Sequence, residues 1–91
     1  MINFNKYVGK NLKITKIKDN VFDNNHPNEI NEGYVTEGTI NVELSKEHKC
    51  LFIHPDEEKY FHTSEIKKVI ENKDFDIIYT VNSIYKVEIK E

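Results

Sequence analysis

From Tyr34 to Leu44 the side chains alternate without a break. Tyr34, Thr36, Gly38, Ile40, Val42 and Leu44 share one face, and Val35, Glu37, Thr39, Asn41 and Glu43 share the other. A period of two belongs to an extended strand that buries one face, because successive Cβ atoms point to opposite sides. The spacing predicts a strand over 34–44. Gly38 in its middle predicts a bend or the close approach of another backbone.

The same period can be followed elsewhere. Val8 to Lys18 reads as a strand with Val8, Lys10, Leu12 and Ile14 on one side. The alternation slips after Thr15, where a bulge would reconcile the two halves. Asp19 to Gly33 holds Asn20, Asn24, Asn25, Pro27, Asn28 and Asn31 and reads as one long exposed loop. Ser45 to His48 reads as a turn, Lys49 to His54 as a short strand, and Tyr60 to His62 as a brief one. Thr63-Ser64 could cap a helix running to Asn72, or could form a turn that leads into a strand through Glu71; the second reading is preferred. Phe75 to Val81 and Ile84 to Lys90 form a hairpin, with Asn82-Ser83 as a two-residue turn. In that register Ile78 faces Val87 and Thr80 faces Tyr85.

Composition strengthens this bias. The chain has no Ala or Gln and is rich in β-branched and aromatic residues, which favours strand over helix. The expected fold is therefore mainly β: residues 1–91 as one small barrel of five or six strands, with one long N-terminal loop and at most one short helix. Tyr34, Ile40, Val42, Phe52, Ile78, Tyr85 and Val87 are the expected core.

Phe61 to Tyr85 contains Thr63-Ser64-x-Ile66 and then Thr80-x-Asn82-Ser83-x-Tyr85. This resembles small SH3-like barrel proteins of bacteriophages, prophages and other mobile elements, in which a Thr-Ser turn precedes a strand and an Asn-Ser turn joins the last hairpin. The resemblance covers about a quarter of the chain. It implies an SH3-like barrel and a mobile-element accessory protein, and it brings no catalytic residue with it. The Asn-rich loop before Gly33 has no counterpart in that pattern.

Several constellations could carry chemistry. His48, Cys50 and His54 would share one side of a strand, with Asp56, Glu57, Glu58 and His62 following, and imidazole with thiolate suits zinc. A lone strand cysteine is more commonly a small buried hydrophobe, and structural zinc sites usually draw paired cysteines from tight knuckles, so no metal ligand or cofactor is assigned. Cys50 as a nucleophile would need a base in geometry that strand neighbours seldom offer. Asp56, Glu57 and Glu58 after a proline read as a solvated loop. No catalytic set emerges, and the chain is expected not to be an enzyme.

Binding readings remain. Residues 1–18 hold five lysines (Lys6, Lys10, Lys13, Lys16 and Lys18) and no acid, whereas residues 19–45 hold six acids and no lysine. Phe4, Tyr7, Tyr60, Phe61 and Tyr79 beside those lysines could bind single-stranded nucleic acid or RNA. A net charge of −3 and the absence of arginine weigh against that. The leading expectation is a non-catalytic protein-binding module that presents its acidic loop, through Asp23, Glu29 and Glu32, to a partner with a basic surface. The resemblance makes that partner a host protein and suggests inhibition of a defence enzyme. A single cysteine and the lack of a signal or membrane-spanning run predict a cytoplasmic protein that binds no membrane.

Overall fold

The computed structural model describes residues 4–19 and 33–90. A 3-10 helix, Phe4–Tyr7, precedes β1 (Asn11–Asp19) and β2 (Val35–Ile40). The helix α1 (Val42–His48) follows, and then β3 (Phe52–His54), β4 (Phe61–His62), β5 (Ile66–Glu71), β6 (Asp76–Thr80) and β7 (Ser83–Lys90). The strands make one antiparallel sheet in the order β4-β3-β2-β1-β7-β6-β5.

Among the described residues the fold is mainly β with one short α-helix, as expected, but the sheet does not close into the expected barrel of five or six strands. The described residues form seven strands, and the terminal pair β4 and β5 shares no ladder. The short connection after β4 bonds elsewhere: Thr63 N–H donates to Leu51 O, Ile66 N–H to Lys49 O, and Val81 N–H reaches Glu65 O. Those bonds fasten the β4–β5 corner to the segment before β3 and to the β6–β7 turn. The sheet still curls strongly. Phe61 on β4 meets Tyr85 on β7 edge to face, with ring centroids 6.0 Å apart. Those strands stand four places apart in the order, about 19 Å in a flat sheet.

The enclosed core is Leu12, Ile14, Leu51, Ile53, Ile78, Tyr85 and Val87, with Phe4 and Tyr7 from the 3-10 helix packed against it. Ile78, Tyr85 and Val87 are where the alternation put them, and Ile40 and Val42 pack against the cluster partly buried. Tyr34 and Phe52 are corrections. Tyr34 is exposed, stacked on Phe61, and Phe52 lies on the outer face because its neighbours Leu51 and Ile53 take the inward positions.

The strand expected over 34–44 ends at Ile40, and Val42–Leu44 and the expected turn Ser45–His48 are both helical. Asn41 causes the switch. Its Oδ1 accepts the Leu44 N–H at 3.0 Å, which satisfies an N–H that the first helical turn leaves without a partner. Glu43 in the first turn and Lys46 and His48 in the last suit the helix dipole. Lys49 closes α1 in the left-handed conformation, φ 55°, with its N–H on Ser45 O.

The bulge predicted after Thr15 is present: the β1–β7 register slips between Lys16 and Lys18. The turn-and-strand reading of residues 64–72 also holds, as β5. In the last hairpin the register differs by two residues from expectation. Ile78 faces Tyr85 and Asp76 faces Val87, so Val81-Asn82 makes the turn. Side-chain hydroxyls account for the shift. Thr80 Oγ1 accepts from Ser83 N–H and donates to Ser83 O, and Ser64 Oγ donates to Thr80 Oγ1 while accepting the Asn82 N–H. The Thr-Ser and Asn-Ser motifs thus meet in one buried knot, and their chemistry here is that of a fastening.

A second fastening holds the N-terminus. Asp76, almost fully buried, accepts the Tyr7 hydroxyl and pairs with Lys6 Nζ at 2.6 Å, while Lys6 also reaches Glu71 at 3.3 Å. Burial, then the bond to Asp76, push the Tyr7 phenol far above its ordinary value of 10.0. Burial likewise raises Tyr85 and the Cys50 thiol. For Lys6, burial pulls the other way but is outweighed by Asp76 and Glu71, so it too is raised. An unfolded chain releases these protons at lower pH than the folded one, so it binds fewer of them once pH passes about 9. The contribution of these groups to stability is therefore expected to be complete below that point and to fall as pH rises further. A urea midpoint followed into the tyrosine range checks this, and Tyr7→Phe should flatten the slope; a midpoint insensitive to alkali contradicts it.

Candidate functional site

The outer face of β3 and β4 gathers five rings. Phe52 and His54 point outward from β3 because Ile53 between them is buried, and His62 pairs with Phe52 across the ladder. Tyr60 enters from the chain before β4, and His48 from the end of α1. Phe52 lies 5.1 Å from Tyr60, 5.6 Å from His62 and 6.3 Å from His48, at interplanar angles of 17°, 12° and 27°. Tyr60 and His62 are themselves 5.9 Å apart at 19°. In a column the outer rings would stand about twice one step apart; these three instead form a triangle, a compact pavement of near-parallel rings offset-stacked on one another. Tyr60 is 62% exposed.

A cleft of about 320 Å³ opens over this pavement, lined by His48, Cys50, Phe52, Tyr60, His62 and Thr63. His54, 6.0 Å from Phe52 and tilted to it, borders a second cleft with Asn11, Thr39, Asp56 and Glu57. His54 is oriented by hydrogen bonds at both ring nitrogens. Asn41 Oδ1 is occupied by Leu44 N–H, so the Asn41 amide nitrogen is the group that meets His54 Nε2, at 3.2 Å. Nε2 then accepts, and Nδ1–H donates to Lys59 O at 3.3 Å. Asp56 Oδ1 accepts the N–H groups of Glu58 and Lys59, which holds the loop between β3 and β4 in a tight turn. The helix cap, the histidine and the acidic loop are one connected unit.

The sequence constellations fare differently here. His48, Cys50 and His54 do not share one face of a strand: His48 ends a helix, Cys50 is buried before β3 begins, and His54 lies on the outer face beyond Phe52. Among the described residues, no three His, Cys, Asp or Glu side chains gather as a metal ion requires. Burial raises the Cys50 thiol, the reverse of what an activated nucleophile needs. Asp23, Glu29 and Glu32 lie outside the described residues.

The aromatic set proposed for nucleic acid is divided. Phe4 and Tyr7 are in the core and Phe61 packs against it, which leaves Tyr60 exposed and Tyr79 half-buried. Two of the N-terminal lysines are committed to acids, Lys6 to Asp76 and buried Lys16 to Asp19 at 2.6 Å. Sequence reading missed the pavement because it weighed His48, Cys50 and His54 as ligands and Phe52 as core. The available signal was the spacing of aromatic and histidine residues at 52, 54, 60 and 62 around a polar loop.

No helix among the described residues is long and apolar enough to cross a membrane. Comparison with protein-family models, with curated proteins and with solved structures finds no match.

Proposed function

We propose that this protein is a non-catalytic binding module that engages another protein through the ring pavement on β3 and β4. One observation carries the reading: Phe52, Tyr60 and His62 are stacked against one another on an outer face, with Tyr60 largely in solvent, while the core is filled by other residues. Aromatic rings held rigidly at a surface lose little entropy on contact and dominate the energetics of protein interfaces. The acids Asp23, Glu29 and Glu32 offer a second contact region for a basic partner. The resemblance to mobile-element barrels suggests a host protein as that partner, with inhibition of a defence enzyme as its concrete form.

The pavement can be tested without disturbing the core, since Tyr60 and His62 are both exposed. The double variant Tyr60→Ser/His62→Ser should keep its urea midpoint within about 0.5 kcal/mol of the parent. It should lose roughly 30-fold in affinity for the protein that the parent captures by cross-linking in its native host. Undiminished capture by the double variant would remove the pavement from the account.

A further inference from the structure

The two clefts beside β3 are neighbours of opposite character. One is floored by near-parallel rings and carries no carboxylate on its lining; the other is bordered by His54, Asp56 and Glu57. Phe52 and His54 mark the two, on one face of one strand two residues apart, with ring centroids 6.0 Å from each other. That is close to the step between alternate residues of any extended chain, about 6.6–6.8 Å. A segment lying along β3 and β4 would therefore bring two of its own alternate side chains over the two clefts together.

Charge and shape determine which side chains fit. Tyr60, stacked on Phe52 and 62% exposed, can accept a further ring by offset stacking. In the second cleft Asp56 already holds its own turn through Oδ1, whereas the exposed Glu57 carboxylate makes no ion pair among the described residues. A cation placed there gains a partner, and a phosphate would meet repulsion. The bordering acids thus favour a peptide over a polyanion as the source of the stacked ring.

We propose that the pavement and the acidic cleft form one bipartite site for an extended protein segment bearing an aromatic side chain and, two residues away, a lysine or arginine. This rests on the protein-binding reading above and adds the chemistry of the partner. The aromatic side chain stacks on Phe52 and Tyr60. The basic one pairs with Glu57, and His54, fixed by Asn41 and Lys59, separates the two pockets.

The test uses the full chain, isotope-labelled, titrated with a capped heptapeptide, Gly-Ser-Trp-Ser-Arg-Ser-Gly, and followed by amide chemical shifts. Saturable shifts are expected at Phe52, His54, Glu57, Tyr60 and His62. Replacing Trp by Ala, replacing Arg by Glu, or placing Trp and Arg next to each other should each weaken binding by about tenfold. Glu57→Lys, at an exposed position, should reverse the preference, so that the variant favours the peptide carrying Glu over the one carrying Arg. No saturable shift with the parent peptide, equal binding of the altered peptides, or an unchanged preference in Glu57→Lys overturns the proposal. So does an oligothymidylate that moves the same amides more strongly, which would assign the pavement to nucleobases. If the peptide fails while Tyr60→Ser/His62→Ser still weakens capture of the native partner as expected above, only the bipartite chemistry falls and the protein-binding reading stands.

Discussion

Gly38→Ala is expected to cost about 3 kcal/mol of stability. A Cβ at Gly38 would lie 2.3 Å from His54 O and 2.6 Å from His54 C, with the Ile53 side chain at 2.9 Å. The first two are backbone atoms of the neighbouring strand, so no rotamer change relieves the contact. β2 and β3 must separate locally, and the ladder between them is only Thr39–His54 and Ile40–Ile53. For a domain of this size the loss corresponds to a fall in melting temperature on the order of 15 °C. Because His54 carries the clash, the variant should also disturb the rim of the proposed site. Thermal and urea denaturation measure the first effect, and amide shifts at Phe52 and His54 the second. A variant as stable as the parent would mean that the two strands do not pack this closely.

Asp76→Ala is expected to cost roughly 2–3 kcal/mol, chiefly by stranding its partners. Tyr7 is 1% exposed and its hydroxyl donates to Asp76, so removal of the carboxylate leaves a buried donor with no acceptor at that position. Lys6 contributes less, since its side chain is 31% exposed and can turn to water or to Glu71. Asp76→Asn keeps an acceptor and should be milder. The double variant Asp76→Ala/Tyr7→Phe should recover part of the loss, because it removes the stranded hydroxyl as well. Urea midpoints of the parent, Asp76→Ala, Tyr7→Phe and the double variant form the cycle. Equal destabilisation by Asp76→Ala and by the double variant would locate the cost elsewhere. The same contacts hold the 3-10 helix over the end of the core, so proteolysis near residue 7 should accelerate in Asp76→Ala.

Local chemistry accounts for much that was legible beforehand. The position of the bulge in β1 was readable because Ile17 breaks the parity that Leu12 and Ile14 establish, but its outcome was not: Ile17 is the inserted residue and stays exposed, while Lys16 takes the next buried place. Gly38 was readable as a close approach because a mid-strand glycine needs such a reason. The strand character of Ile66–Glu71 was readable from its β-branched residues and the turn before it. The helix at Val42–His48 was hidden inside the clearest strand pattern in the chain. There Asn41 competes for the backbone, and a cap of about 1 kcal/mol is not visible in a two-residue period.

What the amino-acid order determined unaided is the mainly β character, most strand positions, and Ile78, Tyr85 and Val87 as core. Each follows from side-chain parity and backbone preference acting over a few residues. Only the tertiary structure decided that the sheet curls without closing, that Phe52 faces outward beside Tyr60 and three histidines, and that Asp76 is buried against Tyr7. Those outcomes depend on contacts between residues far apart in the chain. The β4–β5 corner bonds to Lys49 and Leu51 instead of completing a ladder, and Leu51 and Ile53 fill the interior ahead of Phe52. Which of several apolar neighbours wins the inside is a matter of volume and register across strands, and no local pattern encodes it.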